Sequence, residues 1–159
     1  MSSTALSSSA QRVQDELIRL GVACQVVEHA EPTRTAQEAA ERAGCSIGQI
    51  VKSLVFRGAE SGKAILVLTS GANRVDEKSV AAVVGEPIGR ADPEFVRAVT
   101  GFAIGGVPPL AHATRIDTYI DEDLLAFETI WAAAGTPNAI FELTPAQLHD
   151  LTGGRVIEV

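Results

Sequence analysis

Residues 101–113, GFAIGGVPPLAHA, restrict what this chain can fold into more than any other stretch. They are apolar, yet their spacing fits neither the period of a helix nor the alternation of a strand. Gly101, Gly105 and Gly106, with the adjacent Pro108 and Pro109, rule out a regular element. The loop falls inside a chain of 159 residues, a length that suits one domain with a real core.

The segments on either side carry clear periodicity. Gln11 to Leu20 places Val13, Leu17, Ile18 and Leu20 at helical spacing, and Gly21 ends the run. The preceding residues, 1–9, read as a flexible lead-in to a domain over 10–159. ACQVVEH reads as a short strand. TAQEAAERAG is a helix with Thr35 and Glu38 in a capping box and Gly44 at its stop. IVKSLVFRG and KAILVLTSG are apolar runs bounded by glycine, as central strands are, and GAESGK joins them as a hairpin. VDEKSVAAVVG and ADPEFVRAVTG are helices, capped by Asp76 and Asp92, with Pro93 at the first position of the second. After the loop, TRIDTYID, ETIWAAAG and NAIFELT read as strands, TPAQLHDLTG as a capped helix and RVIEV as a last strand. The order predicts a single α+β domain with a twisted, mixed or mostly antiparallel sheet and flanking helices.

Charge narrows the partners. The net charge is −7, and from Ile116 to Val159 eight acidic residues face Arg155 alone. A general nucleic-acid binder is basic overall, so no DNA partner is expected. A polyanion could meet only a local patch in the first two-thirds, where Arg34, Arg42, Lys52, Arg57, Arg74 and Lys78 are available. The acidic final third, Asp121 to Asp123 included, is expected to stand apart from any such patch. No apolar run reaches the roughly 18 residues of a membrane span. The N-terminus lacks the features of a secretory signal. Cys24 and Cys45 form neither a CxxC pair nor a zinc spacing and suit a reducing cytoplasm.

Three features could carry chemistry, each with a plainer structural alternative. The loop's glycines permit close backbone approach to a ligand and its prolines hold the donors in place, which suits a carbonyl or oxyanion site; it could equally be a turn. Lys52, flanked by apolar residues in a strand that reads as central, either points into a cleft or snorkels at a sheet edge. In TSGANRVDEKS a strand ends in a glycine turn before a helix, a place for an anion or a ribose where Asn73, Arg74 and Asp76 could serve, or simply a capped helix entry. His112 lies near the loop, while His29 and His149 are scattered. No GxSxG, HExxH, P-loop or dinucleotide fingerprint occurs.

The order of VKSLVF, LVLTSGANRVD, GFAIGGVPPL and AAGTPNAIFELTPAQLHDLTG resembles the YbaK/EbsC family. It is also similar to the editing domain inserted in bacterial prolyl-tRNA synthetases. The resemblance covers roughly residues 10–158. It implies a partly barrel-like mixed sheet and a free-standing trans-editing aminoacyl-tRNA deacylase of the cytoplasm. The substrate would be tRNA(Pro) carrying a wrong small amino acid such as alanine or cysteine, and a prolyl-tRNA synthetase would be a further partner. The family's G-x-x-x-P loop maps onto Gly105, Gly106, Val107, Pro108 and Pro109, and its functional lysine onto Lys52. The resemblance implies no metal, cofactor or protein nucleophile: water or a hydroxyl of the terminal adenosine attacks, and loop amides hold the ester carbonyl. Many relatives carry serine at Pro108 and glycine at Ala111. The other reading is a non-catalytic module that binds aminoacyl-tRNA or a nucleotide and partners a synthetase.

Overall fold

The computed structural model describes residues 5–159. Its helices are α1 (Ser8–Arg19), α2 (Ala36–Ala43), α3 (Glu77–Val84), α4 (Pro93–Thr100) and α5 (Pro145–Thr152). Local chemistry sets their ends. The Thr35 hydroxyl accepts from the Glu38 N–H at 3.1 Å, and Gly44 closes α2 in the left-handed region at φ 74°. Asp76 and Asp92 accept from first-turn N–H groups of α3 and α4. Thr144 and Gln147 complete a reciprocal capping box on α5. Each such cap contributes about 1 kcal/mol where the group is shielded from water. The expected lead-in over 1–9 falls partly outside the described residues; at its far end Ser7 caps α1 and Ser8–Ser9 belong to the first turn.

The strands are β1 (Val26–Glu28), β2 (Ile50–Gly58), β3 (Ala64–Ser70), β4 (Ile88–Arg90), β5 (Asp117–Asp121), β6 (Ile130–Ala133), β7 (Ala139–Leu143) and β8 (Arg155–Ile157). They form one mixed sheet in the order β1-β7-β6-β2-β3-β5-β8, with β4 also on β2. The path is open, since β1 and β8 stand at its two ends. The β2–β3 hairpin is antiparallel, whereas β6 joins β2, β5 joins β3 and β8 joins β5 in parallel. The short strand β4, in PIGRAD, has no apolar alternation to announce it in the sequence.

Strand β3 is buried from Ile65 to Ser70. Leu66 and Leu68 face a core that includes Val13 and Leu17 of α1 and Val96 of α4. Ile65 and Val67 face a second core with Phe56, Val80 and Ile157. Covering both faces of a strand requires a continuous apolar run, which AILVL supplies. The loop at 101–113 joins the first core: Phe102, Val107 and Leu110 are buried within it. The loop is apolar because its side chains are core while its backbone runs along the surface of the site.

One irregularity positions that site. On the side of β2 away from β3, β6 pairs only with Ile50 and Val51, and β4 only with Phe56 to Gly58. Residues 52–55 are left without a strand partner on that side. The loop covers this gap.

Candidate active site

A cavity of about 280 Å3 opens at the gap in β2. Its walls are Ile50–Leu54 of β2, the approach to α2 from Thr33 to Ala36, Trp131–Ala133 of β6, the turn at Thr136–Pro137, and Ile104, Gly105 and Val107 of the loop. A smaller space of about 70 Å3 lies between β2 and Arg90–Ala91. Ser53, Leu54, Ile104, Gly105 and Val107 border both. The two therefore form a groove running under the loop along the unpaired edge.

Lys52 lines the larger cavity, and its Nζ donates to the Asn73 carbonyl at 2.8 Å. Burial pushes its pKa down, and the nearby guanidinium groups of Arg74 and Arg90 push it further down, against the pull of Asp121. Three cations thus share one neighbourhood. Arg34 adds a fourth to the cavity wall. Among the described residues that line either space, none is acidic. Such a setting favours an anion or an oxygen that gains negative charge.

The two loop glycines differ. Gly105 is exposed at φ 92° and borders the cavity. Gly106 is buried and does not line it. Its N–H donates to the Ala103 carbonyl at 3.0 Å, and its carbonyl accepts from the Gly135 N–H at 2.9 Å. A Cβ at Gly106 would lie 2.7 Å from Thr136 Cα, so main chain packs directly on main chain. Gly135 in turn admits the backbone of Ser9, with a Cβ there only 2.6 Å from its carbonyl oxygen. The start of α1, the 135–138 turn and the loop are stacked through glycines. The turn is tied down further by Thr136 Oγ1, which donates to Glu28 at 3.1 Å; Glu28 also accepts from the Ser7 N–H and hydroxyl, each at 2.7 Å.

Pro108 and Pro109 are buried and do not line the cavity. His112 is also absent from the lining. Its Nε2 lies 2.7 Å from the Pro108 carbonyl, and burial pushes its pKa down against that hydrogen bond. The neutral ring donates to the carbonyl and clamps the loop end, where Ala111 takes a left-handed φ of 67°. His112 is a positioning residue in this geometry.

The TSGANRVDEKS segment divides. Asn73 Nδ2 donates to Asp121 and Asp123, both at 2.8 Å. Asp121 is 1% exposed and also accepts from Thr69 Oγ1 and the Ser70 N–H. Asn73 is thus fixed so that its carbonyl meets Lys52. Arg74 stands beside Lys52 but also borders Asp121, Glu122, Asp123 and Glu158. Asp76 is an exposed helix cap away from the cavity. The acidic final third therefore does not stand apart: Asp121 supports the lysine through Asn73. Sequence separation concealed this, because parallel pairing brings β5 beside β3 across more than forty residues.

The sequence reading passed over Arg90, Ser53, Trp131 and Thr136. Arg90 sits on a three-residue strand whose pairing with β2 has no sequence signature. The thiols of Cys24 and Cys45 are pushed up by burial, then by the Glu142 carboxylate, and neither borders the groove. Among the described residues no three His, Cys, Asp or Glu side chains converge to hold a metal, and no helix is long and apolar enough to cross a membrane.

Residues 30–151 match the model of the aminoacyl-tRNA editing domain family. A solved structure described as a candidate trans-editing enzyme for prolyl-tRNA synthetase is 52% identical, with a TM-score of 0.92 over 97% of this chain and 98% of that one. A scaffold protein used for grafting linear epitopes is 48% identical, with a TM-score of 0.90 and 97% of each chain covered. The Bacillus subtilis protein YwhH, described as uncharacterized, is 35% identical over 131 residues, 82% of this chain and 83% of its own length.

Proposed function

Because the chain belongs to the aminoacyl-tRNA editing domain family, we propose that it is a free-standing deacylase that hydrolyses the ester of mischarged tRNA. The preferred substrate is tRNA(Pro) carrying a wrong small amino acid such as alanine or cysteine, met in the cytoplasm and in concert with a prolyl-tRNA synthetase. The observation that carries this reading is that Lys52 and Gly105 border one cavity at the gap in β2.

The chain's part is positioning and charge. Lys52 meets the phosphate or ribose of the terminal adenosine, with Arg74, Arg90 and Arg34 adding attraction. Trp131 offers a face for the adenine base. Gly105 and Val107 border the place of the ester and are the loop residues to supply main-chain donors there, while the Gly106 N–H is engaged within the loop. Water, or the free ribose hydroxyl relaying it, attacks the carbonyl carbon. The bond to the ribose oxygen breaks, that oxygen takes the proton, and free amino acid and tRNA leave. Esters of tRNA are already reactive, so positioning and modest charge stabilisation suffice.

The test is a panel of mischarged tRNAs, alanyl- and cysteinyl-tRNA(Pro) among them, followed for release of the amino acid. Turnover of these with correctly charged prolyl-tRNA spared is the expected result. Tight binding without turnover would instead identify a capture module.

A further inference from the structure

Ser53 follows Lys52 in β2 and borders both parts of the groove. Its hydroxyl is the one buried side-chain oxygen or nitrogen among the described residues without a hydrogen-bond partner. Folded proteins rarely leave such a group unpaired, because its lost hydration is not replaced.

The main chain of Ser53 itself has no strand partner on the side away from β3. The Val55 carbonyl accepts from the Ala91 N–H at 3.3 Å, on the β4 side of the strand, and the Ile50 carbonyl accepts from the Gly71 N–H at 2.7 Å, on the β3 side. Strand alternation therefore turns the Ser53 N–H to the same side as Val55, into the stretch where β6 has stopped pairing and β4 has not begun. Ser53 thus brings two idle donors, a hydroxyl and an amide, to an edge lined by Lys52, Arg34 and Arg90 and by no carboxylate. Idle donors among cations fit an oxygen on which negative charge develops.

We propose that Ser53 is a catalytic residue whose N–H and Oγ–H donate to the carbonyl oxygen of the aminoacyl ester as it becomes an oxyanion. The proposal rests on the deacylase reading. When water adds to the carbonyl carbon, the C=O electron pair moves onto that oxygen and the two donors hold it. Collapse restores the C=O bond and expels the ribose oxygen, which takes the proton water gave up. Ser53 remains part-exposed, so a turn about χ1 presents the hydroxyl to the groove. It is not a nucleophile here, because neither imidazole nor carboxylate lines the groove to take its proton.

The experiment compares the parent, Ser53→Ala and Ser53→Thr on one mischarged tRNA that the parent deacylates, reading kcat, KM and Tm. Removing one oxyanion donor is expected to lower kcat by about a hundredfold with KM little changed. The alanine variant, freed of an unpaired buried hydroxyl, should melt no lower than the parent. Threonine, which keeps the hydroxyl, should restore most of kcat. A parent-like kcat in Ser53→Ala, a loss confined to KM, or a lower Tm with no rescue by threonine would overturn the proposal. A parent silent on every mischarged tRNA would overturn the deacylase reading, and this assignment with it; that outcome is recognised without any variant.

Discussion

The 101–113 loop and the Thr69–Ser79 segment both bring glycine turns and polar groups toward Lys52, but they spend those groups in opposite ways. In the loop, Phe102, Val107 and Leu110 are anchored in the core and Gly106 is locked to Gly135, leaving the exposed Gly105 at the cavity. In the second segment nearly every polar group is occupied internally: Asn73 and Ser70 by Asp121, Asp76 by the start of α3. A site is marked by donors that neighbours leave idle, and a brace by donors that neighbours consume. Both can be written with the same residue types.

The largest expected effect sharpens the role of the group on which both regions converge. Lys52→Ala should lower kcat/KM for a mischarged tRNA by about 10²–10³-fold, the scale of one lost charge-stabilising partner. Its Tm should stay near the parent's, since the ammonium is partly buried at a cost and makes one hydrogen bond. The lowered pKa gives a second reading. The ammonium is lost at a pH below the ordinary lysine value, so affinity for a non-hydrolysable aminoacyl-tRNA analogue should fall on an alkaline limb that begins there. Between the folded and unfolded values the unfolded chain binds more protons, so this group makes stability rise with pH over that interval.

Within the loop, the two glycines provide the next contrast. Gly106→Ala forces a methyl onto the Thr136 backbone at 2.7 Å and should destabilise by about 1–3 kcal/mol, with loss of activity as the loop shifts. Gly105→Ala meets only Pro137 Cγ at 3.7 Å, and its cost is the left-handed φ, about 1–2 kcal/mol. Thermal melts should rank Gly106→Ala below Gly105→Ala. The reverse order would show that the loop is not braced through Gly106.

The brace can be broken from its acidic end. Asp121→Asn replaces an acceptor of four hydrogen bonds, from Thr69 Oγ1, the Ser70 N–H, Asn73 Nδ2 and the Asp123 N–H, with a group that must also donate, at a cost of about 1–3 kcal/mol. It should also lower activity, because Asn73 no longer holds its carbonyl to Lys52. Asp123→Asn removes the charge, but not the acceptor oxygen, from one exposed partner of Asn73 and should do much less. Equal effects on melting and on kcat/KM would separate Asp121 from the lysine.

His112 offers a smaller, pH-dependent effect. Burial lowers its pKa, so as pH falls below the ordinary histidine value the unfolded chain takes up the proton first, and stability drops until the folded value is passed. Protonation in place leaves Nε2 still able to donate to Pro108, so activity should follow stability rather than lead it. His112→Ala should flatten this acid limb of the melting profile.

Much of this was legible in the sequence because its causes are local. Thr35, Asp76, Asp92 and Thr144 were readable as caps since each acts within three residues of itself. Lys52 stood out as a cation in an apolar run, and the loop as an aperiodic one. Arg90 and Ser53 were not legible. The first depends on a three-residue strand seated by β2, and the second on where the β6 and β4 pairings stop. Asp121 read as one of many acids in the final third, because its burial is decided by parallel pairing of β5 with β3.

Asp76 carries the smallest expected effect and tests the comparison at its weakest point. It was a candidate ligand by sequence, at a glycine turn before a helix. Its carboxylate accepts from the Lys78 and Ser79 N–H groups and the Ser79 hydroxyl, which hold its pKa down, the Ser79 hydroxyl most strongly. The Lys78 and Ser79 N–H groups and the Ser79 hydroxyl at this helix start already face that carboxylate, and a bound phosphate would meet its negative charge. Asp76→Ser keeps a capping oxygen and removes the charge. If the segment is a brace, this variant keeps the parent's kcat/KM and melts only slightly lower. A marked change in KM, or in the salt dependence of tRNA affinity, would mean that the acceptor end does reach the start of α3. The division between idle and consumed donors would then have to be redrawn there.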